Sequence, residues 1–180
     1  MEFKKKGFTL VEILVVIAIL GILSVFILTT FKLFSKTSEI YYEKSLIISK
    51  GNSTIDYIIE KLDRTEKCLS KFKEFTYTGN FLIFKLVEED SYYDEYGIIY
   101  FDIIKQELNY VHIVIDDEEI EITRTEQNIV KNVSQFKVFF NKGVPEKSNY
   151  VLFLLELFYQ GKDRVIEFGF YSGEYLRNYR

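Results

Sequence analysis

Glu12 is the residue whose surroundings most need a chemical explanation. It is the only charged residue in the apolar run from Phe8 to Phe31, and a carboxylate inside a membrane helix costs a few kcal/mol unless something compensates it. If the chain is cut between Gly7 and Phe8, the new α-amino group of Phe8 supplies a positive charge. The Glu12 carboxylate of a neighbouring subunit can then pair with that amine at low dielectric. Pairing within one subunit is also possible, because residues 8 and 12 lie one helical turn apart.

The other potentially reactive side chains do not form a catalytic or metal-binding set. Cys68 and His112 are the only residues of their types, so the chain has no Cys/His set for structural zinc and no intramolecular disulfide. The acidic run Asp116–Glu119 is either a calcium site or a solvated turn, and it lacks the alternating ligands and the glycine of an EF-hand. We favour the turn. No serine lies in a G-x-S-x-G elbow, so we predict no catalytic residue, no metal, no cofactor and no enzyme.

The run Phe8–Phe31 is long enough to cross a membrane. Its 24 residues would span roughly 36 Å as a helix, compared with a hydrocarbon core of about 30 Å. The basic flank Lys4, Lys5 and Lys6 is of the kind that stays cytoplasmic, which places the residues after Phe31 on the far side. A cleaved secretory signal is disfavoured because large residues continue where an A-x-A-like cleavage site would stand. A plain membrane anchor remains the simple alternative.

The segment from Lys4 to Leu23, KKKGFTLVEILVVIAILGIL, resembles the class III signal of type IV prepilins and type II secretion pseudopilins. The resemblance implies cleavage after Gly7 by a prepilin peptidase, N-methylation of Phe8, and assembly into a helical filament through packed amino-terminal helices. It makes Glu12 the charge that registers each subunit against its neighbour. The alternative is a signal-anchored extracytoplasmic adhesin that never assembles.

The sequence predicts four segments and an α+β fold. Residues 1–7 are the leader, 8–31 the membrane and assembly helix, and 32–69 an amphipathic helix with a break near Gly51, because Gly and Asn are poor in helix interiors. Residues 70–180 form a β-rich head that packs on the helix. The length of 180 residues suits one domain with an appendage. The net charge of −4 gives no reason to expect a nucleic-acid partner.

Seven strands are predicted in two groups, the first of them a meander. Alternating and aromatic-rich stretches between turn signals place them at 81–87, 97–104, 107–115, 119–124, 133–140, 151–159 and 164–171. The aromatic tail, with Tyr171, Tyr175 and Tyr179, is either an interaction surface or the last strand packing on the core, and packing is the expectation.

The number of strands suggests a minor subunit, because major pilins and the major pseudopilin generally have one small sheet. The order of Asp63-Arg64, GIIYFDIIKQELNYVHI and NVSQFKVFF is similar to the J-type minor pseudopilin of type II secretion. A related minor pilin of competence systems has a similar plan. These resemblances imply other minor pilins, the major pilin and an inner-membrane assembly platform as partners. They imply location first in the cytoplasmic membrane, with a cytoplasmic leader and an extracytoplasmic head, and then in the pilus or pseudopilus.

Overall fold

The computed structural model describes residues 9–87, 92–161 and 164–176. One long helix is followed by antiparallel strands, so the predicted α+β class is confirmed. The chain divides into two compact units, residues 1–43 and residues 44–180. Helix α1, Leu10–Asp63, supplies nearly all described residues of the first unit and the first twenty residues of the second.

The described residues of the second unit form ten strands and one short 3₁₀ helix. The strands are β1 (Thr65–Cys68), β2 (Lys71–Phe72), β3 (Phe75–Thr76), β4 (Phe81–Leu86), β5 (Asp94–Asp102), β6 (Glu107–Ile115), β7 (Glu121–Lys131), β8 (Val133–Phe140), β9 (Tyr150–Gln160) and β10 (Val165–Tyr175), with the 3₁₀ turn at Pro145–Lys147.

The strands form three antiparallel sheets. The largest has the order β1-β4-β5-β6-β7, so its last four strands form the predicted meander and β1 is added at one edge. The second has the order β10-β9-β8, and β2 pairs with β3 in a small hairpin. Two successive groups of strands are therefore confirmed, although the sequence did not predict β1, β2 or β3.

The main core of the second unit joins the helix to both larger sheets. Ile58 and Leu62 of α1 are fully buried in one cluster with Phe84 of β4, Phe136 of β8 and Phe153 of β9. Burial of such side chains stabilises the fold by about 1.5–3 kcal/mol each. The cluster holds residues 44–63 of α1 against the sheets of the head.

The opposite face of the five-stranded sheet has a smaller core of its own. Ile83, Ile98 and Val111 are buried there, and the β2–β3 hairpin contributes Phe72, whose ring stacks on Tyr96 at 3.9 Å between centroids. Both faces of the central strands are thus covered, as expected where strands read as apolar runs rather than as strict alternations.

Three details of the prediction were wrong. Helix α1 ends at Asp63 rather than at residue 69, because residues 65–68 pair with β4 as a strand. The expected break near Gly51 is absent: α1 is helical through Gly51, and the ring of Phe170 lies against the space where a side chain would be.

The third difference concerns the aromatic tail. Tyr171 and Tyr175 are exposed rather than packed on the core, whereas Phe168 and Phe170 pack inward. Tyr179 lies outside the described residues.

Candidate functional site at the amino-terminal helix

Thr9 and Glu12 close the first turn of α1. The backbone N–H of Thr9 donates to Glu12 Oε2 at 2.8 Å, and the Thr9 hydroxyl donates to the same oxygen at 3.0 Å. In return, the backbone N–H of Glu12 donates to Thr9 Oγ1 at 3.3 Å. This reciprocal arrangement is a capping box of the T-x-x-E type, which satisfies N–H groups that the helix itself leaves without acceptors.

The carboxylate of Glu12 is therefore placed at the positive end of the helix dipole. Both side-chain hydrogen bonds use Oε2, and Glu12 Oε1 accepts none from the residues that the structure describes. One oxygen thus holds the cap while the other remains available to a donor from elsewhere. A carboxylate can serve two donors in this way because its oxygens offer several acceptor directions.

The predicted processing residues lie outside the described part of the chain. These are Gly7, Phe8 and the basic flank Lys4, Lys5 and Lys6. The pairing of Glu12 with the amine of Phe8 accordingly remains a prediction. Thr9, which binds Glu12, is the first residue that the structure describes.

Beyond the capping box, α1 presents an apolar surface. Every large apolar side chain from Leu10 to Phe34 is exposed, from Ile13 at 49% to Leu10 at 77%. The helix contains a stretch that is long and apolar enough, by length and composition, to cross a membrane. This finding is consistent with a single-pass membrane anchor.

The few hydroxyl groups in this stretch bond to their own helix. Ser24 donates to the carbonyl of Leu20 at 2.8 Å, and Thr29 donates to that of Val25 at 2.8 Å. Thr30 does the same with the carbonyl of Phe26, and beyond this stretch Thr37 donates to the carbonyl of Leu33. A hydroxyl satisfied in this manner needs no water, which suits a helix surrounded by lipid or by other apolar helices.

The contacts of the remaining candidate residues indicate structural roles. Asp116 Oδ1 accepts the N–H groups of Glu118 and Ile120, at 3.0 and 2.8 Å, so this carboxylate orders the turn between β6 and β7. Cys68 is buried, and burial together with the charge of Glu146 raises the pKa of its thiol to about 12. His112 Nε2 lies 3.0 Å from Glu95 Oε2 across neighbouring strands.

Two features of this molecule were not predicted from the sequence. The cap formed by Thr9 could have been found, since T-x-x-E before an apolar run is a known capping signal. A groove between α1 and the five-stranded sheet, lined by residues of the helix and of β4 to β7, had no signal in the sequence. Its walls come from segments that are far apart in the chain.

None of the curated proteins matches the chain. Residues 3–28 match the family model of the prokaryotic N-terminal methylation motif. That match covers the predicted cleavage position, the capping box and the first part of α1, and it confirms the class III signal expected from KKKGFTLVE. The chain thus carries the amino-terminal signal of type IV pilin-like proteins, a class of membrane-anchored, filament-forming subunits.

Proposed function

We propose that this protein is a minor pilin or pseudopilin subunit that initiates or caps the filament of a type II secretion or type IV pilus-like system. The observation that carries the proposal is the methylation motif at residues 3–28, which includes the first part of a helix whose apolar side chains are exposed. Such a surface is costly in water. A membrane and then a bundle of like helices would cover it in turn.

In this proposal, residues 1–7 are removed by a prepilin peptidase and Phe8 becomes the N-methylated terminus. Residues 8–31 then anchor the subunit, and the remainder forms the extracytoplasmic head. Glu12 sets the register because its Oε1 can receive the α-amino group of a neighbouring subunit while Oε2 keeps the cap with Thr9. An uncompensated carboxylate would be expensive at this depth, so correct alignment is favoured over other registers.

The proposed partners are other minor subunits, the major pilin, prepilin peptidase and an inner-membrane assembly platform. The described head favours a minor subunit, because its ten strands in three sheets exceed the one small sheet expected of a major pilin. The J-type minor pseudopilin is the finer assignment that we propose. It rests on the order of the strand-rich segments after Asp63.

A minor pilin of a competence pilus is the alternative within the same class, because it would use the same signal and helix. The alternative from another class is a signal-anchored adhesin that stays a monomer in the membrane. Its helix would need only length and apolarity. Glu12, with its cost in a membrane, would then have no function beyond the helix cap.

Processing is tested by mass spectrometry of the protein extracted from membranes. The proposal predicts an amino terminus at Phe8 that carries one added methyl group in cells with active prepilin peptidase. The same cells without the peptidase should yield the uncut chain. Recovery of the intact leader from cells with active peptidase would overturn the proposal.

Assembly is tested by three substitutions on one helix. Glu12→Ala removes both the charge and the cap, whereas Glu12→Gln removes the charge and keeps an oxygen that can accept the bonds from Thr9. Glu39→Ala is the matched control, since Glu39 is an exposed glutamate of α1 outside the apolar stretch. We expect both Glu12 variants to lose incorporation into filaments and Glu39→Ala to keep it. Equal incorporation of all three would overturn the proposed role of Glu12 in register, whereas absence of the natural protein from filaments, with unchanged surface display of the Glu12 variants, would favour the anchored adhesin.

A further inference from the structure

The turn between β5 and β6 projects two apolar side chains into solvent. Ile103 is 66% exposed and Ile104 is 95% exposed, the highest value for any large apolar residue in the described part of the chain. Hairpin turns usually carry Gly, Asn, Asp or Ser, and two adjacent exposed isoleucines are unfavourable in water. We call residues 103–106 the apolar tip, because its composition is that of a contact surface rather than of a solvated turn.

Hydrogen bonds order the backbone of the apolar tip. Asp102 Oδ1 accepts the N–H groups of Ile104 and Lys105, both at 3.0 Å. The carbonyl of Gln106 accepts the N–H of Val133 at 2.9 Å, which ties the tip to the start of β8. A surface that is already ordered loses little conformational entropy when a partner binds it.

The opposite end of β6 carries an acidic and apolar surface. β6 has nine residues and follows the apolar tip directly, so the turn after it lies roughly 27 Å away along the strand. We call residues 116–122 the acidic turn. Its exposed carboxylates and exposed isoleucines are Asp117, Glu118, Glu119, Ile120 and Ile122. The carboxylates of residues 117–119 form no ion pair with a described residue, so they can receive a cation from a partner.

The apolar tip has the opposite charge at its surface. The side chain of Lys105 is 67% exposed, whereas that of Asp102 is only 21% exposed and already holds the turn. The two charged groups are 3.8 Å apart, which is long for an ion pair. Lys105 is therefore available to a carboxylate that approaches the tip. The two ends of β6 are complementary, one apolar and positive, the other apolar and negative.

The sheet order places these two surfaces almost in line. The apolar tip joins β5 to β6 and the acidic turn joins β6 to β7, so they are displaced sideways by about one strand spacing, ~4.8 Å. A second copy shifted along β6 by the length of the head would bring its acidic turn to the tip of the first. Residues 44–63 of α1 would then run in the same direction in both copies. A two-fold contact of the tip with itself would instead bring the two Lys105 side chains together.

We propose that the apolar tip of one copy binds the acidic turn of a second copy, so that the heads associate head to tail. Ile103 and Ile104 pack against the isoleucines of the acidic turn, and Lys105 pairs with its carboxylates. Such a contact does not close between two copies, since each pair keeps one free tip and one free acidic turn to which another subunit can add. The inference goes beyond the proposed minor role and does not depend on it, because both surfaces lie within residues 44–180.

The test is a covalent cross-link, because a contact of two turns is small and association through it in solution is weak. Two full-length variants are prepared in detergent micelles, Ile103→Cys in the apolar tip and Ile120→Cys in the acidic turn. A short bismaleimide should join the two variants in a mixture about tenfold more than it joins either variant alone, since a head-to-tail contact pairs unlike surfaces. Cys68 is buried and does not compete. Equal yields from the mixture and from the single variants would overturn the proposal.

Further substitutions in the cross-linked pair test the two components of the contact. Ile104→Asp in the tip variant should lower the yield about tenfold, because it removes apolar burial and adds a charge like that of the acidic turn. Lys105→Glu should lower it about fivefold at low salt and less at high salt. Glu118→Lys in the other chain should then restore the yield, which a misfolded variant could not do. An unchanged yield with Ile104→Asp, or no restoration by Glu118→Lys, would contradict the proposed contact.

A control and a lipid measurement test the other partners of the tip. Tyr171→Cys is the matched control, because Tyr171 is exposed in the middle of β10 and belongs to neither turn. Mixed with Ile103→Cys, it should give no more cross-link than the single variants. A yield equal to that of Ile120→Cys would show that the tip has no preferred surface. A fluorophore on residue 103 should escape quenching by acyl-chain quenchers in phosphatidylglycerol–phosphatidylcholine vesicles. Strong quenching would place the tip in lipid, and either result would overturn the proposal.

Discussion

Glu12 accepts two hydrogen bonds from Thr9 through one carboxylate oxygen, while its own N–H donates to the Thr9 hydroxyl. The residue that the sequence marks as an assembly charge is therefore also part of the cap of its own helix. The cap and the proposed pairing with a neighbouring subunit are compatible because they use different oxygens of the carboxylate. The cap orients the side chain, and in the proposed assembly an oriented carboxylate would define the register more closely than a mobile one.

Loss of the Thr9 hydroxyl should loosen the first turn of α1. In Thr9→Val the shape of the side chain is nearly kept, but Glu12 loses one donor and its N–H loses its acceptor. We expect amide hydrogen exchange of residues 10–13 to become about fivefold faster, in line with the loss of a helix cap. Thr9→Ser is the control, because it retains the hydroxyl. Identical exchange in the Val and Ser variants would show that the hydroxyl does not stabilise this turn.

Gly51 should be required for close packing between α1 and β10. A Cβ at residue 51 would collide with the ring of Phe170, and such overpacking costs about 1–3 kcal/mol. Alanine also gains up to about 1 kcal/mol in helix propensity over glycine. We therefore expect Gly51→Ala to lower the free energy of unfolding of the head by about 1 kcal/mol, measured by urea denaturation in detergent.

A second pair of variants separates the collision from other effects. In a Phe170→Leu background the ring is absent, so Gly51→Ala should become neutral or stabilising, and the two substitutions should be strongly non-additive. Gly169→Ala is a control on the same strand, since a Cβ there meets only ordinary contacts at 3.8 Å. Additive effects of residues 51 and 170 would mean that the ring does not constrain Gly51.

The structural role of Gly51 could not be predicted from its neighbours in the sequence. Gly, Asn and Ser at 51–53 predict a helix break by local propensity, but the glycine is explained by a ring 119 positions later in the chain. Local pattern did define β6 and β8, whose bounds, Glu107–Ile115 and Val133–Phe140, are the predicted ones. These strands are apolar and bounded by turn residues, so neighbouring residues sufficed to define them.

The strands that the sequence did not predict, unlike β6 and β8, have no strong local pattern. β1, β2 and β3 are two to four residues long and carry no alternating pattern, so their pairing depends on partners elsewhere in the fold. β7 continues to Lys131, seven residues past the prediction, because an exposed edge strand can be polar on both faces. By contrast, Glu12 could be singled out from the sequence alone, because a charged residue within an apolar run is unusual whatever its tertiary contacts are.

Cys68 should be nearly inert in the folded protein. Only 1% of its surface is exposed, and the pKa of its thiol is raised to about 12. Because the thiolate is the reactive form, alkylation by iodoacetamide at pH 8 should be about a thousandfold slower than that of an unperturbed thiol. The same protein in guanidinium chloride is the control and should react at the normal rate. Rapid alkylation under native conditions would contradict the burial of Cys68.

Glu146 should make the stability of the head depend on pH in the acidic range. Its carboxylate accepts the N–H of Ser70, and it accepts the Ser70 hydroxyl at 2.6 Å, which ties the 3₁₀ turn to the segment after β1. Burial alone would raise the pKa of this carboxyl, but the hydrogen bonds from Ser70 and from the backbone of Glu146 outweigh burial, so the pKa lies below its usual value. A lowered pKa in the folded state means that the ionised form stabilises the fold. That contribution is complete above the unfolded-state pKa of 4.5 and is lost as the pH falls through the lower folded-state value.

Glu146→Gln tests this relation, because it keeps an oxygen for one of the two bonds and removes the charge. Near neutral pH we expect the variant to be less stable than the natural protein by about 1.5 kcal/mol, the lower end of the usual contribution of a hydrogen bond to a charged group. The difference should shrink as the pH is lowered below 4.5, since the natural carboxyl then becomes neutral as well. Urea denaturation at several pH values from 3 to 7 measures this difference in stability. A difference that stays constant over this range would mean that the shape of the side chain, and not its ionisation, stabilises the contact with Ser70.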